Sequence, residues 1–173
     1  MKPITGLLLL TLIAGCHSEI PDDQYICPWE ENPFFWEYRG EPVFLKGASA
    51  DDNLFQLPGL DDHLEEISES GVNYIRNTMS GRLIHGSEVR AFVQTDGKYD
   101  LDQFNPEYWE RFKALLEGCY QRDIIIQIEI WATHDIFSQE QWSASPWNPV
   151  NNINYQFDQT RLPEVSPAYA KDF

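Results

Sequence analysis

Basic residues are scarce in this chain: 12 Lys and Arg stand against 28 Asp and Glu, a formal charge of −16 at pH 7 over 173 residues. Such an acidic surface repels the phosphates of nucleic acid and the headgroups of anionic lipid, so neither is expected as a partner. The three cysteines hold no pair at zinc spacing, and there is neither a phosphate-cradling glycine loop nor a nucleophile elbow. Glu129, His134 and Asp135 lack the spacing that marks a metal site. No metal and no cofactor are therefore expected. Beyond residue 13 no apolar run is long enough to enter a membrane.

The N-terminus supplies the one long apolar run. Lys2 gives a positive charge, residues 7–13 are almost unbrokenly apolar, and Ile13-Ala14-Gly15-Cys16 puts small residues before a cysteine. That is the layout of a secretory signal, too short to span a bilayer. Its end resembles the lipobox of bacterial lipoproteins, which implies cleavage before Cys16 and lipid attached to that residue. An ordinary signal peptide with a chance cysteine is the alternative. The expected location is thus outside the cytoplasm, on a membrane through the lipid at Cys16, and His17 after the cysteine points to the outer membrane or cell surface of a bacterium. The expected organisation is a signal over 1–15, a tether over 16–31 and one domain over 32–173.

Aromatic residues are plentiful, at 14 % with six Trp and eight Tyr. Flat rings stack on pyranose faces, although core packing also uses them. In an oxidising compartment Cys27 and Cys119 are free to pair, but sequence does not show whether they lie within bonding distance.

Strand and helix signals alternate along the chain. Apolar stretches at 34–38 and 43–45 flank Arg39-Gly40-Glu41-Pro42, a turn signature, and predict a strand pair. Leu60, Leu64 and Ile67 recur at helical spacing, with Asp61 and Asp62 suited to the first turn and Gly71 to the end. Residues 72–76 read as a strand. Asn105-Pro106 starts a second helix whose apolar face is Tyr108, Trp109, Phe112, Leu115, Leu116 and Cys119. In 124–131 the period becomes two: four isoleucines face one way, while Ile125, Gln127, Glu129 and Trp131 face the other. Helices would cover the isoleucine face and an enclosed interior the polar one. This favours an α/β fold, the first three βα units of a partial (β/α)8 TIM barrel preceded by a strand pair. An edge strand with one wet face gives the same alternation.

Several motifs then point to a family. Asn32-Pro33-Phe34-Phe35 with Gly40-Glu41-Pro42-Val43-Phe44-Leu45-Lys46-Gly47 resembles the opening of cellulase-like (β/α)8 glycoside hydrolases, family five and its relatives. Gly71-Val72-Asn73-Tyr74-Ile75-Arg76 is similar to their second strand, the run from Tyr99 through Asn105-Pro106 to Trp109 to the approach of their second helix, and 124–131 to their third strand. The resemblance implies the N-terminal portion of an exported retaining glycoside hydrolase acting on a poly- or oligosaccharide. It also implies that the acid/base and the nucleophile belong to later strands. Retaining hydrolysis needs two carboxyl groups about 5 Å apart, so this chain is expected to be inactive alone, with no catalytic residue of its own. Its missing partner would be the C-terminal part of the barrel, and residues 169–173 read as a helix cut off in its first turns.

In that family Arg76 would support the absent nucleophile; a structural ion pair or a surface arginine is the alternative. Asn77 beside it would bind a sugar hydroxyl or close the strand. Glu129 would bond Arg76 or substrate, or be a buried carboxylate satisfied by its neighbours; Trp131 would stack on a ring; and His134 and Asp135 would stand in a loop within reach of substrate, or be ordinary polar residues of that loop. The connection 78–104 is long for its kind, and Asp96-Gly97 within it predicts a small hairpin. From 142 to 155 the chain gathers Trp142, Trp147, Asn148, Asn151, Asn152, Asn154 and Tyr155, rings and amides of the kind neutral sugars require. Trp147 and Asn148 are the candidates there, and an irregular loop pinned down by its tryptophans is the alternative. The alternative is a non-catalytic surface lipoprotein that binds glycans through these aromatic loops.

Overall fold

Helix starts and tight turns are the most local features of a chain, and here they fall where the residues dictate. Asn105 accepts a hydrogen bond from the backbone N–H of Glu107 at 3.1 Å, and Pro106, which has no N–H to satisfy, opens the helix after it. Asp96 and Gly97 both take positive φ, 51° and 78°, as a two-residue hairpin turn requires. The computed structural model describes residues 26–155. The expected export signal, Cys16, the start of the expected tether and the helix expected over 169–173 lie outside the described residues.

The chain divides into two units, Met1–Phe44 and Leu45–Phe173. The described part of the first is an antiparallel sheet of β1 (Ile26–Pro28), β2 (Trp36–Tyr38) and β3 (Glu41–Val43). Arg39 and Gly40, both at positive φ, turn β2 into β3. The first strand falls within the stretch expected to be tether, where three residues carry too little pattern to be read as a strand.

The second unit holds a 3-10 turn (Leu54–Gln56), α1 (Leu60–Glu69), β4 (Tyr74–Thr78), β5 (Phe92–Thr95), β6 (Lys98–Phe104), α2 (Pro106–Gln121), β7 (Ile125–Glu129), α3 (Thr133–Phe137), α4 (Gln139–Ala144) and a final 3-10 turn (Pro149–Asn151). β4 and β7 pair in parallel, Tyr74 opposite Ile125 through Thr78 opposite Glu129, while β5 and β6 form an antiparallel hairpin. One core joins these pieces: Leu64 and Ile67 from α1, Ile75 from β4, Tyr108, Leu115 and Cys119 from α2, and Leu54, Phe55 and Ile124. Each fully buried Leu, Ile or Phe contributes roughly 1.5–3 kcal/mol. Gly118 lets α1 and α2 approach closely, since a Cβ there would lie 2.6 Å from Leu64 Cδ1.

The partial (β/α)8 barrel expected from the sequence is not the architecture formed. The described strands fall into three small sheets of three, two and two strands; two sheets are antiparallel, and only β4 and β7 form a parallel ladder. Gly47 adds no more than an isolated bridge to Tyr74. The polar side of β7 does not look into an enclosed interior either. Gln127 is exposed, as is its neighbour Arg76. Period-two alternation arises wherever one face of a strand packs and the other is wet, and that second cause operates here.

Candidate functional site

Just beyond the C-terminal end of β7 the second unit encloses a cavity of about 700 Å3, within the roughly 300–1,000 Å3 of small-molecule sites. Its wall is mostly carbon. Ile128, Ile130 and Trp131 come from β7 and its continuation, Trp109 and Phe112 from α2, Phe92 and Phe104 from the hairpin, Ile136 from α3, Trp142 from α4, and Trp147 and Tyr155 from the segment that follows.

The rings form an unbroken chain. Trp131 meets Trp147 at 5.3 Å between centroids, Trp147 meets Phe92 at 5.1 Å, Phe92 meets Phe104 at 5.7 Å, and Phe104 meets Trp109 at 5.2 Å. Hairpin, α2 and the loop after β7 are thus tied through aromatic contacts, each contributing about 0.5–1.5 kcal/mol beyond its buried area. Despite this packing Trp131 stays 57 % exposed and Trp147 38 %.

Polar groups in the wall are few. Asp135 Oδ2 accepts from Ser80 Oγ at 2.7 Å and from the Gly81 N–H at 3.0 Å, and Arg82 Nε stands 3.5 Å from Oδ1. Arg90 donates from Nη1 to the Gly81 carbonyl. Three of the five buried polar side-chain atoms without a hydrogen-bond partner among the described residues, Asp135 Oδ1, Arg90 Nε and Trp142 Nε1, belong to residues of this wall but lie beneath its surface. Burial, and then the charge of Asp135, push the Tyr108 phenol above its ordinary range, so it stays protonated.

A second, separate polar group lies on the open side of the parallel ladder. Glu129 accepts from Thr78 Oγ1 at 3.0 Å and faces Arg76 Nη1 at 3.4 Å, both across the β4–β7 pair. Tyr74 donates its hydroxyl to Gln127 nearby. Half-exposed ion pairs of this kind contribute little to stability.

The residues singled out from sequence therefore scatter. Trp131, Asp135 and Trp147 line the cavity, and Arg76 and Glu129 meet each other elsewhere. His134 is exposed on α3, a helix where a loop was expected, and is not part of the wall. Asn77 is 0 % exposed; its Oδ1 accepts from the Phe55 N–H and its Nδ2 donates to the Thr78 carbonyl, which leaves it no way to a substrate. Asn148, 2 % exposed, donates to the Trp142 carbonyl and accepts from the Val150 N–H. Asn151 and Asn152 likewise bond backbone groups of the segment. These amides hold an irregular loop together. Phe92, Phe104 and Trp109 were missed as site residues because rings on an amphipathic face look the same whether they fill a core or border a cavity. Arg90 carried no sequence signal at all.

Both Cys27, exposed, and Cys119, buried, are free thiols. Among the described residues no group of three or more His, Cys, Asp or Glu could hold a metal ion, and no helix is long and apolar enough to cross a membrane.

Residues 87–172 match the model of a domain family described as a domain of unknown function (DUF6298). That span contains every ring of the aromatic chain together with Arg90, Asp135 and Trp142. No curated protein and no solved structure matches the chain.

Proposed function

We propose that this chain is an exported, lipid-anchored protein that binds a neutral oligo- or polysaccharide in the cavity beyond β7. The observation that carries the reading is the continuous aromatic wall ending in Trp131, more than half of whose surface is left to solvent. Exposed rings beside a concave, mostly carbon wall suit the apolar face of a pyranose, and a few polar groups at its edge suit hydroxyls. The acidic surface, at −16 overall, favours an uncharged guest over an anionic one. Export and the anchor at Cys16 rest on the signal-like residues 1–16.

Calorimetric titration of the full chain, purified in detergent, against neutral oligosaccharides tests this. Saturable binding is expected, weakened about fivefold by Trp131→Ala, since a stacked ring contributes roughly 1 kcal/mol. Binding equal in the variant, or absent for every sugar tried, would contradict the reading.

A second reading, that the chain is the N-terminal portion of a glycoside hydrolase, is favoured by Arg76. Glu129 is its sole partner among the described residues, at one long contact of 3.4 Å. A guanidinium so loosely held retains N–H groups that can orient a further carboxylate, the role the resemblance implies. On this reading the chain alone releases no reducing sugar, and Arg76→Ala impairs the activity of a longer polypeptide without weakening oligosaccharide binding.

A further inference from the structure

The first unit leaves its apolar side uncovered. Opposite residues of an antiparallel pair share a face of the sheet, and neighbours along a strand alternate between faces. The register therefore sets Ile26, Pro28, Trp36, Tyr38 and Val43 on one face, with Glu41 at its edge, and Cys27, Glu37 and Pro42 on the other. None of these nine strand residues is buried. Trp36 is 43 % exposed, and Phe34, in the loop between β1 and β2, is 93 % exposed. Carbon gathers at the end that holds Phe34 and Trp36. The other end carries charge, with Arg39 over the Tyr38 ring at 4.9 Å and Glu41 opposite Tyr38.

A contiguous exposed apolar patch marks a site for a protein or a membrane. The expected anchor decides between them. Cys16 and Ile26 are ten residues apart in sequence, which at full extension is no more than ~36 Å. A lipid at Cys16 thus keeps the face within reach of a bilayer, and the high local concentration this creates lets even a weak surface affinity act. Trp and Tyr are the side chains that settle between headgroups and acyl chains, ring in carbon and polar atom in water. A second copy is the poorer occupant, because a charge of −16 on each chain opposes close approach. Between 26 and 44 four glutamates stand against one arginine, so the lipid surface that fits is zwitterionic, not anionic.

We propose that this face lies on the zwitterionic surface of the membrane that holds the anchor, with Phe34 and Trp36 at the boundary of headgroups and acyl chains, a proposal that rests on the lipid-anchored reading above. The test reconstitutes the lipidated protein into phosphatidylcholine vesicles with a nitroxide either at position 34, through Phe34→Cys with Cys27→Ser, or on native Cys27. Phe34 makes so little contact that its replacement leaves the fold intact, and buried Cys119 escapes labelling. Collisions of each nitroxide with oxygen and with a water-soluble nickel chelate are then read by electron spin resonance. The nitroxide at 34 is expected to meet oxygen freely and to lose most of its collisions with nickel, while the one on Cys27, on the opposite face, keeps them. Equal nickel accessibility at the two positions overturns the proposal. So does a nitroxide at 34 shielded from oxygen and nickel alike, which means cover by protein, or one broadened by a neighbouring spin, which means a second copy. A Cys16 peptide whose mass carries no acyl chain removes the anchor and this proposal together, whereas the outcomes above leave the anchor standing.

Discussion

Single residues show most plainly how the fold sets chemistry. Burial raises the Cys119 thiol to about 11 against a weaker lowering by Arg122, so at neutral pH it is neither a nucleophile nor ready to form a disulfide. A maleimide should label exposed Cys27 in the native protein and reach Cys119 only after unfolding, as peptide mapping by mass spectrometry would show. Glu88 is the opposite case. Burial raises its carboxyl, but the backbone N–H groups of His85, Glu88, Ile84 and Gly86 outweigh it and hold the group down at about 2. A folded value below the unfolded one means stability that is present above pH ~4.5 and lost as pH falls towards 2. Glu88→Gln should therefore flatten the acid limb of a stability profile between those limits and lower stability at pH 7 by about 1 kcal/mol, as charge-assisted bonds become neutral ones. Neither behaviour was legible in sequence, because both come from neighbours that only the folded chain supplies. The amides make the same point from the other side: Asn77 and Asn148 read as groups offered to a sugar, but a side-chain amide that pins a backbone is chemically the same residue.

At the level of elements the sequence was readable wherever the signal is local. The Asn105-Pro106 start of α2, the Asp96-Gly97 turn of the hairpin and the parallel course of β4 and β7 all stand where their residues placed them. Close packing is less local. Gly118 sits in the interior of α2, where intrinsic preference alone would favour alanine by up to ~1 kcal/mol. Because Leu64 is fully buried and a Cβ at 118 would overlap its Cδ1, Gly118→Ala should instead lower stability, by about 1 kcal/mol or more in chemical denaturation. An unchanged or raised midpoint would mean that α1 and α2 shift apart freely.

For the whole molecule the local reading and the outcome part. Alternating side chains in 124–131 fit an enclosed barrel interior and a wet sheet face equally well, and nothing within the strand distinguishes them. What decides is how many strands pair alongside, a property of distant segments. Here the long connection after β4 folds into its own hairpin, and the strands of the first unit pair with one another. The same long-range folding brings Phe92 and Phe104 to Trp109, Trp131 and Trp147, making a cavity from residues that look like separate core positions in the sequence.

On the proposed reading this cavity holds a sugar against its aromatic wall. A crystal structure of the full chain with a bound oligosaccharide tests it most directly. A pyranose ring stacked on Trp131 or Trp147, both still partly exposed, is the expected result. Sugar bound only on the open side of the β4–β7 ladder, or water alone in the cavity at saturating oligosaccharide, would contradict it.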